Sequence, residues 1–301
     1  MTGLTTAASD PFLDWINTKL GRSYRFDGSD REIARDGANV LHLSVASLFD
    51  ESGDSGWARR RDAVAKQLTA LSSNSLTVWI PPTADLPHGD RTEFVHRIVD
   101  AGATLEPGQR GQVEFPVTLT LKKTSTEASY VQVAGGLAPH WAKLTGRAYG
   151  QYVLDTTPIH RLPEPETRVA DLLEWVVLLG NGMKAGTSSD FKAEDAWTLT
   201  RPRGIDDGCT LVGAAPELDP TNGTTVRKLL RDALRRAAAH PRQEPAAQAL
   251  VLVGIFRTIE EETATIALRG CDPSMYDGFD VICLVADGQC KALYGPRPDR
   301  L

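Results

Sequence analysis

The chain reads as an α/β protein of two associated α/β lobes with mixed sheets, the first carrying an antiparallel hairpin. Three observations predict this. Strand-length apolar runs alternate with helical periodicity near both ends of the chain. Between 113 and 154 the pattern changes to period-two alternation, as in VEFPVTLTL. A proline-rich break, LPEPE at 162–166, stops one element and pre-sets the next helix. The expected domains are therefore 1–162 and 163–301.

In the first lobe, residues 1–9 read as a loose tail. A short helix follows at 10–20, with Asp10 as N-cap, Pro11 at the first helical position and Gly21 beyond the end. Residues 39–49 read as a strand with Leu41, Leu43 and Val45 on one face. A loop at 50–56 leads to a helix at 57–71, whose stripe is Ala63, Val64, Leu68 and Leu71. A strand at 76–80 and a helix at 91–101 complete a β-α-β-α layer with a parallel pair of strands. The strands at 113–121 and 130–134 are expected to form an antiparallel hairpin, with 148–154 as a third strand. Pro116 places its strand at an edge or a bulge.

In the second lobe, 169–179 is helical and ends at Gly180-Asn181-Gly182. Residues 181–208 read as a long polar loop with one short strand at 197–200, and as a proteolytic soft spot together with 50–56. Strands at 209–215, 249–256 and 281–286 alternate with helices at 225–239 and 260–268. The Asp287-Gly288 turn returns 290–294 as a hairpin.

Composition narrows the function classes. The chain has 301 residues and a formal charge of −6, against the whole surface being a polyanion sink. No apolar run approaches the roughly 18 residues of a spanning helix. The N-terminus MTGLTTAASD has neither a basic nor an apolar leader region. Cys209, Cys271, Cys283 and Cys290 are scattered, which predicts free thiols and a reduced, cytoplasmic setting. Arginine outnumbers lysine by 24 to 9, which with abundant alanine points to a GC-rich bacterial genome.

Against that acidic background, TVRKLLRDALRRAAAHPR at 225–242 carries six positive charges and one negative. Its apolar residues recur at helical spacing, and Arg227, Arg231 and Arg235 are four apart, so they line one face. Lys228 and Arg236 flank that face. A one-signed face binds phosphates or an acidic protein surface. A second cluster, Arg59, Arg60 and Arg61 with Lys66, strengthens the nucleic-acid reading if it lies nearby. The competing reading is a solvated face whose arginines pair with Glu260–Glu262.

Other chemistries have weaker marks. GNGMKAG at 180–186 follows a helix and lacks the order of a phosphate loop. Asn222-Gly223-Thr224 reads as a helix cap more than as an anion site. No Cys/His pair has zinc-ligand spacing, and no metal or cofactor is assigned. Asp190-Phe191-Lys192 is the single compact match to the carboxylate-x-lysine pattern of metal-dependent nucleases. Glu114 is expected to pair with Lys122 or Lys123. The stretch 135–161 is dense in His140, Trp141, Arg147, Tyr149, Tyr152 and His160, which suits a β-rich core or a stacking surface.

The leading expectation is a non-catalytic component of a bacterial nucleic-acid-handling assembly, binding phosphate backbone through the basic helix. The first alternative is a scaffold or adaptor gripping an acidic protein partner. The second is a divergent metal-dependent phosphodiesterase. No catalytic motif decides whether the chain is an enzyme.

Overall fold

The computed structural model describes residues 3–26, 31–49, 56–135, 138–164, 166–204, 208–216, 222–238, 246–254 and 257–296. Side chains 138–139 and 257–261 lie outside that description. The element order is α1 (Gly3–Leu20), β1 (Arg25–Phe26), β2 (Ile33–Asp36), β3 (Asn39–Ser47), α2 (Gly56–Leu71), β4 (Thr77–Trp79) and α3 (Thr92–Ala103). Then come β5 (Arg110–Ser125), β6 (Ser129–Ala134), α4 (Ala138–Trp141), β7 (Gly150–Asp155), α5 (Glu166–Gly182) and β8 (Ser188–Thr200). The last elements are β9 (Thr210–Val212), α6 (Gly223–Ala238), β10 (Ala247–Val253), α7 (Arg257–Arg269), β11 (Val281–Ala286) and β12 (Gln289–Tyr294). Helices and two six-stranded mixed sheets make an α/β fold in two lobes.

The chain packs as two compact units, 1–111 with 198–301, and 112–197. It passes between them inside β5 and β8, and residue 162 lies within the second unit.

The first unit holds the sheet β1-β2-β3-β10-β11-β12. β10 lies parallel to both β3 and β11. Both faces of this centre are covered, which is why ALVLV and VICLVA are continuously apolar. Leu41, Leu43, Val251, Val253, Cys283 and Val285 meet Leu4, Ala7, Ala8, Phe12, Leu13 and Ile16 of α1. Leu250, Leu252, Ile282 and Leu284 meet α6 and α7.

Four expectations are corrected here. The tail at 3–9 is helix, with Pro11 inside α1; Leu4, Ala7 and Ala8 bury against the sheet, and Ser9 donates its hydroxyl back to the Thr5 carbonyl. The strand at 39–47 does not pair with the one at 77–79: β3 takes β10, while β4 lies parallel to β9 and antiparallel to β8. The 113–121 and 130–134 strands are not hairpin partners, because β7 inserts between them, antiparallel to β5 and parallel to β6. The long loop at 181–208 is mostly β8, whose Phe191, Ala193, Trp197 and Leu199 alternate inward. The 50–55 part of the other expected soft spot lies outside the described residues.

The second unit is two-layered. Trp141, Leu144, Leu173 and Val176 cover one sheet face, against Leu121, Val131, Tyr152, Leu154 and Phe191. Lys123 points into this layer, donates to the Gly180 carbonyl near the end of α5 at 3.1 Å, and lies 5.2 Å from the Tyr152 ring centroid. A cation at a helix C-terminus meets carbonyls that have no partner within the helix.

All four cysteines are free. Burial, then the neighbouring Cys290, pushes the Cys283 thiol well above its ordinary range. Thiol titration of denatured, unreduced protein is expected to find four reactive groups; two or fewer would contradict the structure.

Candidate nucleic-acid interface

The basic helix is α6. Its start is fixed by Asn222, whose Oδ1 accepts from the backbone N–H groups of Thr224 and Thr225 at 3.1 and 3.2 Å. The Asn222 side chain thus occupies the donors that an anion would need. Val226, Leu230, Ala233 and Leu234 are buried against Leu48, Leu250, Leu252 and the α7 residues Ala264, Ala267 and Leu268. This stripe fixes the rotation of the helix, and so decides which side meets solvent.

That side is cationic. Arg227, Lys228, Arg231, Arg235 and Arg236 are all exposed. Arg227, Arg231, Arg235 and Lys228 fall within an arc of about 100°. Arg227 and Arg235 are about 12 Å apart along the axis, a span of roughly three phosphates on one DNA strand. Arg235 pairs with Asp232 at 3.3 Å. Among the described residues Arg227, Lys228 and Arg231 make no hydrogen bond or ion pair, whereas Arg236 is engaged within the fold. Glu262 is exposed, and the side chains of Glu260 and Glu261 lie outside the described residues. Arg242 also lies outside them.

The second cluster is largely committed inside its own unit. Arg60 pairs with Asp85 at 2.7 Å. Arg61 pairs with Asp62 at 3.0 Å and lies 5.7 Å from the Trp57 ring centroid. Arg59 alone of the three is exposed and without a partner among the described residues. α2 packs on α3 and β9, whereas α6 packs on β3 and α7.

Most of the remaining sequence candidates resolve as structural contacts, whereas His140, Arg147 and Tyr149 are exposed. In β8, Asp190 accepts from Thr120 at 2.7 Å, Lys192 donates to Thr118 at 2.8 Å, and Phe191 faces the core. Glu114 pairs with Arg168, which also reaches Glu194, in place of the expected Lys122 or Lys123. Lys123 is committed to Gly180. GNGMKAG is the end of α5 and the turn after it. Trp141 and Tyr152 are core residues, and the Tyr152 hydroxyl donates to Gly180. Among the described residues, no three His, Cys, Asp or Glu side chains gather to hold a metal ion.

Two polar centres escaped the sequence reading. In the second unit, Asp195 is 3% exposed and accepts from His160 Nδ1 and Trp197 Nε1 at 2.8 and 2.9 Å. It also accepts from the backbone N–H groups of His160 and Arg161 at 2.8 and 2.9 Å. Burial opposes its charge, but the hydrogen bond and charge of His160, then Trp197 and Arg161 N–H, hold the carboxyl below its ordinary value. Asp195 thus ties the backbone of His160 and Arg161 and the His160 ring to β8. In the first unit, Asp10 pairs with buried Arg31 at 2.8 Å and accepts from Arg203 N at 2.6 Å.

No family model, no curated protein and no solved structure matches this chain. No helix is long and apolar enough, among the described residues, to cross a membrane.

Proposed function

We propose that the protein is a non-catalytic component of a bacterial, cytoplasmic assembly that handles nucleic acid, and that α6 is its phosphate-backbone contact. One observation carries this reading. The buried stripe of α6 locks its opposite side outward, and that side presents Arg227, Lys228, Arg231 and Arg235, with Asp232 the one paired acid among the described residues. Three of these cations, Arg227, Lys228 and Arg231, have no partner among the described residues, and such cations exchange their counterions for phosphates, which gives sequence-independent affinity. Arg59, Arg60 and Arg61 take a smaller share, since Arg60 and Arg61 already hold carboxylates.

The test is titration of labelled duplex and single-stranded DNA by fluorescence anisotropy at low salt. Saturable binding of either strand form, with little sequence preference, is the expected result. Retention of an acidic protein partner by α6 with no DNA or RNA affinity would replace this reading with the adaptor. Cleavage of the DNA dependent on Mg²⁺ would replace it with the phosphodiesterase.

A further inference from the structure

We infer that β6 is a docking edge, and that its occupant is β6 of a second copy of this chain, paired antiparallel. β6 is the end strand of its sheet. Its pairing with β7 is parallel, with Ala134 opposite Asp155. The Thr156 N–H bonds the Ala134 carbonyl, and the Gly150 N–H bonds the Ala128 carbonyl. In a parallel ladder each strand turns alternate residues toward its neighbour. The even-numbered residues of β6 therefore face β7, and the N–H and C=O groups of Ser129, Val131 and Val133 face away from it.

Such an edge is usually blunted by lysine, proline or a bulge. SYVQVA has no charge and no proline. Tyr130 is 57% exposed, and Gln132 and Ala134 are exposed beside it. Val131 is the middle of its three outward residues. A two-fold axis through Val131 sets Ser129 against Val133 of the second copy and Val131 against its own counterpart. Every outward donor then meets an outward acceptor, for about six hydrogen bonds. Tyr130 falls opposite Gln132, and no like charges are juxtaposed. A peptide carrying charge gains nothing here that the uncharged self-pairing lacks.

The experiment is sedimentation velocity on the full chain across micromolar concentrations, with Tyr130→Lys/Gln132→Lys as the edge-blocking variant. Both positions point to solvent, so circular dichroism should be unchanged. The expected result is a concentration-dependent dimer that the double variant converts to monomer. A separate variant, Tyr130→Cys/Gln132→Cys, sets each new thiol opposite its partner at about 4.5 Å between Cα atoms, within disulfide reach. Mild oxidation should give a crosslinked dimer that wild-type protein does not form. A wild-type monomer throughout the range, a dimer that survives both lysines, or a cysteine variant that does not crosslink overturns the inference.

Discussion

Asp195→Ala is expected to cost about 3 kcal/mol or more of stability, the combined penalty of several buried donors left unbonded. The carboxylate is the shared acceptor for His160 N, Arg161 N, His160 Nδ1 and Trp197 Nε1, so a single truncation orphans them together. Asp195→Asn is expected to cost less, because its carbonyl oxygen still serves the two backbone N–H groups while its NH₂ opposes the ring donors. The pH dependence follows from the lowered carboxyl pKa. Such a group contributes stability above the unfolded value of about 3.9, and loses it as pH falls through the lower folded value. Urea melts from neutral pH down to pH 3 check this. The wild-type protein should lose stability below about pH 4, and Asp195→Ala should show a flatter acid limb. Equal slopes for the two proteins would show that Asp195 does not carry the acid loss.

Asp10→Ala is expected to be comparably severe, at about 3–5 kcal/mol, for a different reason. The side chains of Arg31 and Asp10 are 5% and 9% exposed. Arg31 also donates to the Arg203 carbonyl and lies 4.9 Å from the Phe26 ring centroid, so it cannot swing into water without unpacking. Removing Asp10 leaves a buried charge without its counter-ion. Replacing both members by apolar residues of similar size, Asp10→Leu with Arg31→Met, should recover much of the loss. Thermal melts of the two singles and the double form the cycle. A double variant no better than the sum of the singles contradicts the pairing.

These two centres show where the sequence stopped being informative. α6 was legible throughout: its cap, its buried stripe and its charged side are all local features at helical spacing. β3, β10 and β11 were legible as strands for a related reason, since apolar runs bounded by turns need no partner to be recognised. Which strand each pairs with was not legible. β3 finds its parallel neighbour about two hundred residues downstream, and periodicity carries no such information. Only the end of β8, at 197–200, was legible; the 188–196 part was hidden because Asp195 sits at an inward position of its alternation, where a carboxylate breaks the apolar pattern. The first turns of α1 were hidden likewise. Thr5, Thr6, Ser9 and Asp10 are buried there, and polar residues before a proline read as a tail. Asp10 looked like a helix cap, and only the fold brings Arg31 and Arg203 to it.

Phosphate contact by the outward side of α6 is read from the salt dependence of binding. Log K for duplex DNA should fall linearly with log salt. In Arg227→Gln/Arg231→Gln/Arg235→Gln the slope should be shallower by about 0.9 for each phosphate that no longer meets an arginine, and affinity should drop alike for unrelated sequences. Stability should change little, because Val226, Leu230, Ala233 and Leu234 keep their packing and glutamine is a good helix former. Wild-type protein without DNA or RNA binding at low salt, or a triple variant with the wild-type slope, would show that α6 is not a phosphate contact.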